Sequence, residues 1–421
     1  MSRPLSKLLV SILALAFFAI ATLLSPLPAL APGPAPTAEA VRRARDSAIE
    51  LALVMAADGT PRRLMLAHRN LQASAMLIEH GVEGVRLSPR LSDDMLAIEA
   101  SVQVAASTWA NVGVRAMPRA GGGFPDLSLT LGAWRVPTRL VEGALGLIDN
   151  WLRGGGAGLP PIGSMVTDLV VSDTDVAATV AVPRRFFREL REMGGAAPPM
   201  IDEQLLRLVY GRLLAFEVHQ PQASFAMTLR RAFGDRPPAI DPVAYNRAAF
   251  VALAMHVVDP DVRKLAGSEV MYGAIMEVQP PDLRVGGRAD LAKHFALSAA
   301  LTASFEPRFT RAMGEWKELD DSLPGGSGFS FVDLTADRAG MHLARAATDP
   351  STAAQVADLL ADSTDTALFP TAAHTMAEGL GEAEFTRRYG GLAGASYAQA
   401  VRRVDRLLER LPLYAPFVEP N

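Results

Sequence analysis

The sequence predicts an α+β protein in which an N-terminal membrane anchor precedes a mixed helix-and-sheet domain and then an all-α domain. Three observations lead to this prediction. An apolar run opens the chain, a middle region contains segments in which apolar and polar residues alternate, and the region after residue 185 contains patterns with helical spacing only. Alternation with a period of two indicates half-buried strands, whereas apolar spacing of three and four indicates amphipathic helices.

Residues 1–25 are predicted to form a signal anchor. The start MSRPLSK carries two basic residues and precedes 17 uncharged residues over 8–24. A basic start before an apolar run is typical of export signals, whose basic end stays in the cytoplasm. Pro32 follows the small-residue site Ala29–Ala31 and should hinder cleavage. We therefore favour an uncleaved, single-pass anchor in the inner membrane, with the body in the periplasm, over a cleaved signal.

A Pro/Ala-rich linker is predicted over residues 26–40. Such a composition is stiff and extended, so we expect this segment to hold the body away from the bilayer. The α+β domain is predicted over 41–185. It begins with helices over 41–56 and 69–81, and the second helix ends at a glycine, as helix C-caps often do.

The strands of this domain follow as alternating segments, which are VRLSPRL, MLAIEASVQVA, WANVGVRAM and DLSLTLGAW. An amphipathic helix is predicted over 136–152. Its apolar stripe comprises Leu140, Ala144, Leu147 and Trp151. MVTDLVVSD and VAATVAVP then form a hairpin. This order of elements predicts a mostly antiparallel meander sheet.

The same region resembles a group of envelope domains. A helix with an internal NL pair, amphipathic strands and then LGAWRVPTRLVEGALGLI is similar to small membrane-anchored domains of the YpmS type, over roughly residues 60–185. Those domains are suspected relatives of AsmA-like lipid-handling domains. The resemblance implies a lipid-handling role, while the residues alone leave an ordinary sheet-plus-helix domain as the alternative.

The helical domain is predicted over 186–421 and shows no repeat. Asp241 as an N-cap and Pro242 at the first helical position begin one of its helices. Composition excludes several kinds of site and partner for the whole chain. A net charge of −4 gives no basic surface for nucleic acid. The absence of cysteine excludes disulfides, thiolate metal ligands and a cysteine nucleophile.

Chemistry is predicted in the segment 290–340, which combines a histidine with several carboxylates. Asp290 and His294 are four residues apart and therefore share a helical face, which Ser298 continues. A carboxylate beside an imidazole fixes its tautomer and raises its pKa, as in bases and metal ligands. The alternative is a buried histidine with a purely structural hydrogen bond.

Two further acidic pairs follow in this segment. Glu318 and Asp321 are three residues apart near a helix C-terminus, where carboxylates oppose the helix dipole. The alternative is that they are merely solvated. Asp333 and Asp337 are four residues apart on the next helix. Ser330 and Asp333 have the spacing of a capping box, which gives Asp333 a structural role, whereas Asp337 has none of this kind.

The sequence therefore predicts that three helices bring one imidazole and several carboxylates together. Such a site suits a hard divalent cation or acid–base catalysis, so the cofactor is unknown and a divalent metal is one option. The candidate metal ligands are Asp290, His294, Glu318, Asp321, Asp333 and Asp337. The candidate catalytic residues are His294, Glu318, Asp321 and Asp337.

The pattern DLAKHFALSAAL…KELDDS…GFSFVDLTADRAG is similar to a signature of YfiM-like and VanZ-like envelope proteins. Its positions fall on Asp290, His294, Glu318, Asp321, Asp333, Asp337 and Gly340. The resemblance implies an envelope protein. Two functions stay open, so the sequence does not decide whether the protein is an enzyme. One is a structural or lipid-handling factor whose acidic cluster binds a head group or metal. The other is a hydrolase of an envelope lipid or glycan.

Overall fold

A computed structural model describes residues 24–92, 94–154, 159–183, 186, 201–259, 262, 280–304 and 307–417. It has an α+β architecture with a mostly helical C-terminal part, as predicted. The chain divides into two compact units, Met1–Ala196 and Ala197–Asn421. We call them the sheet unit and the helical unit. The change of pattern in the sequence predicts this division between residues 185 and 186.

The sheet unit alternates helices and strands. Its described strands are β1 (Leu24–Ser25), β2 (Arg62–Ala67), β3 (Val85–Ser92), β4 (Met95–Ala105), β5 (Thr108–Met117), β6 (Asp126–Leu131), β7 (Trp134–Val136), β8 (Val166–Val171) and β9 (Asp175–Val180). Its described helices are α1 (Ala38–Ala56), α2 (His68–Gly81), α3 (Thr138–Gly154) and α4 (Ile162–Met165).

The strands form two antiparallel sheets. The first is a meander in the order β3-β4-β5-β6-β7, with β1 paired to β5, and it confirms the predicted meander. The second has the order β2-β9-β8, so the predicted hairpin joins β2 instead of extending the meander. β2 was missed because its sequence, RRLMLA, is short and shows little alternation.

The predicted linker does not stand free of the body. Residues 27–33, which we call the strap, lie against the meander sheet. The backbone N–H of Ala29 donates to Asn111 Oδ1 at 2.9 Å, and that of Leu30 donates to Ser101 Oγ at 3.2 Å. The Arg86 guanidinium in turn donates to the Leu30 carbonyl. These polar side chains of the sheet satisfy the backbone of the strap, which corrects the expectation of an extended spacer.

Among the helices that the structure describes, none is long and apolar enough to cross a membrane. The predicted anchor falls almost entirely on residues 1–23, which lie outside the described part of the chain. Of the predicted range 1–25, only Leu24 and Ser25 are described, as strand β1.

The helical unit is built around the buried helix Pro242–Val257. Its described helices are α5 (Glu203–His219), α6 (Phe225–Gly234), α7 (Pro242–Val257), α8 (Ala289–Ser304), α9 (Pro307–Asp321), α10 (Phe331–Thr348), α11 (Ala353–Ala361), α12 (Asp365–Leu368), α13 (Glu382–Tyr389) and α14 (Ala395–Glu409). The predicted Asp241 cap is confirmed, since Oδ2 accepts from the Ala244 N–H at 2.8 Å. The segment RRFFRELREMG, residues 184–194, has a sequence pattern that predicts a helix. Apart from Phe186 it lies outside the described residues.

Helices α8 and α10 cross closely because Gly340 has no side chain. A Cβ atom at this position would overlap the Phe295 carbonyl oxygen and would lie 3.1 Å from the Ala299 nitrogen. The two backbones could not approach in this way with any larger residue. The crossing brings the face of α8 that carries His294 against the first two turns of α10.

Candidate functional site

The core of the candidate site is a hydrogen bond between helices α8 and α10. His294 Nδ1 lies 3.1 Å from Asp337 Oδ1, and Ser298 Oγ donates to the same oxygen at 2.7 Å. Because Asp337 accepts from Nδ1, the neutral imidazole carries its proton there and presents the Nε2 lone pair on its other side. The partner that orients His294 is therefore Asp337, not Asp290 as the sequence spacing suggested.

Asp333 and Lys317 lie near His294 Nε2, and Glu318 lies beside Lys317. Asp333 Oδ2 is 3.6 Å away and Lys317 Nζ is 3.3 Å away. Lys317 Nζ also lies 3.4 Å from Glu318 Oε1. One ligand atom from each of His294, Glu318 and Asp333 falls within 4.8 Å of the others, so these three residues could hold a metal ion.

Glu318 takes its position from the start of helix α10. The Ser330 hydroxyl caps this helix by accepting from the Asp333 N–H at 3.1 Å. In a capping box, the carboxylate three residues on would accept from the N–H of the cap. Here Glu318 Oε2, from helix α9, accepts from the Ser330 N–H at 2.9 Å. The Asp333 carboxylate is thereby left to face His294, which corrects the expected capping role.

His294, Glu318, Asp333 and Asp337 form a cluster, and two cations lie at its outer edge. Lys317 is half exposed and pairs with Asp321 Oδ2 at 2.7 Å, in the helical i,i+4 arrangement. Arg288 pairs with Asp290 at 2.5 Å and with Asp333 at 3.3 Å. Asp290 and Asp321 thus neutralise the two edge cations, and neither belongs to the group of three ligand atoms. Neither Lys317 nor Arg288 is among the site residues that the sequence predicts.

The cluster is largely closed to solvent. The side chains of His294, Glu318 and Asp333 are 10%, 0% and 11% exposed. Asp337 Oδ2 is buried, and among the described residues it has no hydrogen-bond partner. Charged groups are rarely buried to this degree without a partner that compensates their desolvation. The arrangement is therefore suited to a small ion or a proton.

Burial and neighbouring charges shift the pKa values of the cluster strongly. Burial alone lowers the pKa of His294, but the Asp337 carboxylate more than offsets this and raises it to about 9. Burial raises the pKa of Glu318 to about 8. Burial also raises the pKa of Asp333. Both His294 and Glu318 therefore hold their protons at neutral pH and lose them in the mildly alkaline range.

The GGSG turn, residues 325–328, connects helices α9 and α10. Gly328 has a φ of 88°, and its N–H donates to the Asp321 carbonyl at 2.7 Å. A Cβ atom at Gly328 would overlap the backbone of Gly379. Glycine is required here because the backbone is left-handed and closely packed. The turn fixes the end of α9 beside the start of α10, where Glu318 meets Ser330.

No protein-family model, curated protein or solved structure matches this chain. The resemblances to YpmS-type and to YfiM-like and VanZ-like proteins stay predictions.

Proposed function

We propose that the helical unit binds a divalent transition-metal ion through His294 Nε2, Glu318 and Asp333. The observation that carries this proposal is the convergence of these three ligand atoms within 4.8 Å. Two ligand atoms on one tetrahedral zinc ion lie about 3.3 Å apart, given bond lengths of about 2.0–2.2 Å. The separation of 3.6 Å between His294 Nε2 and Asp333 Oδ2 requires only a small contraction.

The groups behind the ligands support the same proposal. Metal-bound histidines usually donate their second ring N–H to a carboxylate, which orients the ring and makes it a stronger ligand. Asp337 has this position, and Ser298 holds its carboxylate in turn. One imidazole and two carboxylates suit zinc or manganese better than calcium, which prefers oxygen ligands only.

Lys317 supplies a competing cation. Its ammonium lies 3.3 Å from His294 Nε2 and 3.4 Å from Glu318 Oε1, close to where a metal ion would be held. Metal binding therefore requires this flexible, half-exposed side chain to move aside. Asp321, 2.7 Å from the ammonium, offers Lys317 a partner outside the ligand group.

Hydrolysis of an envelope lipid or glycan is the second candidate function. Its support is that His294 and Glu318 have pKa values raised to about 9 and about 8, within reach of acid–base chemistry. The low exposure of the cluster argues against a large substrate, since the bond to be cleaved would have to enter beneath Lys317 and Arg288. Metal binding is therefore the function that we favour.

For the whole chain we propose an envelope protein with its body in the periplasm, attached to the inner membrane by the N-terminal apolar run, whose last residue, Leu24, is paired in strand β1. The support is the basic start followed by 17 uncharged residues. A structural or lipid-handling role at the membrane fits a protein whose metal site is nearly closed. Nucleic acid is not among the partners that we propose, because the chain has no basic excess.

Calorimetric titration of the metal-free full-length chain with Zn²⁺ and with Mn²⁺ tests the metal site. We expect the wild type to bind one ion saturably and His294→Ala to lose binding. In Asp337→Asn the affinity should fall roughly tenfold to hundredfold, as is typical when a group that supports a metal ligand is removed. Asp290→Asn is the matched control, because Asp290 pairs with Arg288 at the edge, and it should bind as the wild type does. Absence of saturable binding by the wild type would overturn the proposal.

A further inference from the structure

The meander sheet has one apolar and one polar face. In an antiparallel sheet, directly paired residues lie on the same face. Ile98 pairs with Pro89 on one side and with Val114 on the other, and Val114 pairs with Leu129. The rows on either side are equally apolar. They comprise Leu87, Ala100, Val112, Leu131 and Trp134 in one row, and Leu91, Leu96, Ala116 and Leu127 in the other.

The opposite face carries the polar side chains. Glu99 pairs with Ser88 and Gly113, and Ser101 pairs with Arg86 and Asn111. The strap lies on this polar face, where Ser101 and Asn111 are buried. Ser101 Oγ donates to Asn111 Oδ1 at 2.7 Å, so the buried polar atoms are partnered.

Burial in the middle of this sheet departs from the usual arrangement, whereas Pro89, Leu91 and Val136 at the margins of the apolar face are buried. On the apolar face, Ile98 is 40% exposed, Val102 is 37% exposed and Val114 is 38% exposed. A sheet with one covered face normally covers its apolar side. Scattered exposed apolar residues need no explanation, but adjacent ones on paired strands form a continuous apolar patch, which marks a site of interaction.

The apolar face is closed at one end and open at the other. Leu91 belongs to a buried cluster with residues of the second sheet, among them Leu169 and Val176, and Leu96 and Ala116 pack against that cluster. Val102 lies at the opposite end, and Val104, beyond it on β4, is more than half exposed. The uncovered surface therefore runs from the middle of the sheet to the end that carries the β4–β5 turn.

The chain enters the sheet at this open end. Strand β1 pairs Leu24 with Ala110, and Ala110 pairs with Val102. The apolar run over residues 8–24 ends within β1, since Leu24 belongs to both. If that run is the membrane anchor, the bilayer lies at the open end of the apolar face. Helix α3 adds apolar surface to the same unit, since Leu147 and Trp151 of its predicted stripe are exposed.

We infer that the apolar face of the meander sheet binds the acyl chain of a membrane lipid, which enters at the end where the chain leaves the bilayer. This inference rests on the proposed membrane attachment and is independent of the metal site. Burying three exposed aliphatic side chains against an acyl chain is favourable, because it removes apolar surface from water.

Site-specific photo-crosslinking tests the inference. The photoreactive residue p-benzoylphenylalanine replaces Ile98 or Val114 in the full-length chain, reconstituted in vesicles of phosphatidylethanolamine and phosphatidylglycerol. Val218, an exposed aliphatic residue of helix α5 in the helical unit, is the matched control position. We expect phospholipid adducts, identified by mass, to be at least fivefold more abundant at positions 98 and 114 than at 218.

Other outcomes would overturn the inference. Crosslinks to residues 8–23 of the same chain would make the N-terminal segment the occupant of the apolar face. Crosslinks to a second copy of the chain would make that copy the occupant. A third such outcome is no adduct above the control. Circular dichroism verifies that each substituted chain is folded. Flotation of the same vesicles tests attachment separately: a chain that floats without adducts overturns only the lipid inference. A chain that does not float overturns the attachment, and adducts in mixed micelles of the same lipids then decide the inference.

Discussion

The two units of this protein depart from ordinary burial in opposite directions. The sheet unit leaves aliphatic side chains exposed on its meander sheet, with Ile98 and Val114 paired across strands β4 and β5. The helical unit instead encloses charged side chains, with Glu318 fully buried beside His294. Both departures cost folding free energy, since water is the better environment for carboxylates and the poorer one for aliphatic groups. The two proposals account for these departures by an apolar ligand in the first unit and a cationic ligand in the second.

The largest effect is expected from removing the carboxylate that both His294 and Ser298 contact. Asp337→Ala should lower the free energy of unfolding of the metal-free protein by about 3–5 kcal/mol, the usual cost of breaking a buried ion pair from one side. Urea unfolding at pH 7 measures this loss. Asp290→Ala, at the exposed edge, should cost less than about 1 kcal/mol. Equal losses in the two variants would mean that the cluster is solvated like any surface.

A smaller loss is expected from obstructing the close crossing of helices α8 and α10. Gly340→Ala places a methyl group against the Phe295 carbonyl and should cost about 1–3 kcal/mol, as overpacking does. Gly211→Ala in helix α5 is the control, because a Cβ atom there meets nothing within 4 Å. That variant should gain up to about 1 kcal/mol from better helix propensity. A neutral Gly340→Ala would contradict the crossing that positions His294.

The buried charges also predict a loss of stability at alkaline pH. His294 has its pKa raised to about 9 and Glu318 has its pKa raised to about 8, so the folded state binds more protons than the unfolded state does above pH 6.5. The stability of the metal-free protein should therefore fall from pH 6.5 to pH 9. In Asp337→Asn the decline should be shallower, because the carboxylate that raises the pKa of His294 is gone. Urea unfolding at several pH values measures the decline in both proteins. An equal decline in the wild type and in Asp337→Asn would contradict the role of Asp337 in raising the pKa of His294.

Removing the competing cation should strengthen metal binding. Lys317→Gln takes the ammonium away from His294 Nε2 and Glu318 Oε1, and we expect the affinity for Zn²⁺ to rise at least about tenfold, equivalent to about 1.4 kcal/mol. Lys293→Gln, on the same helix as His294, serves as the control for a general loss of positive charge. If Lys317→Gln binds no metal and is instead less stable than the wild type, Lys317 itself is the resident cation of the cluster.

The smallest effect concerns the exposed aliphatic face. Val114→Thr replaces a methyl group by a hydroxyl of similar size at an exposed position and should change stability by less than about 0.5 kcal/mol. Val251→Thr makes the same change in helix α7, where the side chain is fully buried, and should cost about 1–3 kcal/mol. A comparable loss at Val114 would show that this face is covered in the folded protein.

The secondary structure of the chain was largely predictable, because strong periodicity dominates over other signals. The alternation in WANVGVRAM and its neighbours predicts the meander, and Asp241 with Pro242 predicts the start of α7. Strand β2 was missed because a short strand gives too little alternation to recognise. The composition of the strap predicts an extended spacer, and its docking on the sheet could not be predicted because its polar partners, Ser101 and Asn111, lie more than 70 residues away in the sequence.

Sequence spacing singles out His294 and the carboxylates of the candidate site, but neither their pairing nor the two cations at its edge. Spacing on one helix places His294 beside Asp290, and only the crossing of two helices at Gly340 brings Asp337 to the imidazole instead. In the same way, the capping-box spacing assigns Asp333 to its own helix. A carboxylate from another helix, that of Glu318, takes the cap N–H in its place. Local spacing identifies which residues share a face, whereas contacts between helices depend on tertiary packing.

The strap has a consequence for maturation of the protein. A protease that cut after Ala31 would sever the segment whose amides occupy Ser101 and Asn111. The released peptide would then have to stay docked as a separate fragment, or Ser101 and Asn111 would keep only their bond to each other. Cleavage at this site and full covering of the polar face are therefore incompatible unless the cleaved segment stays bound.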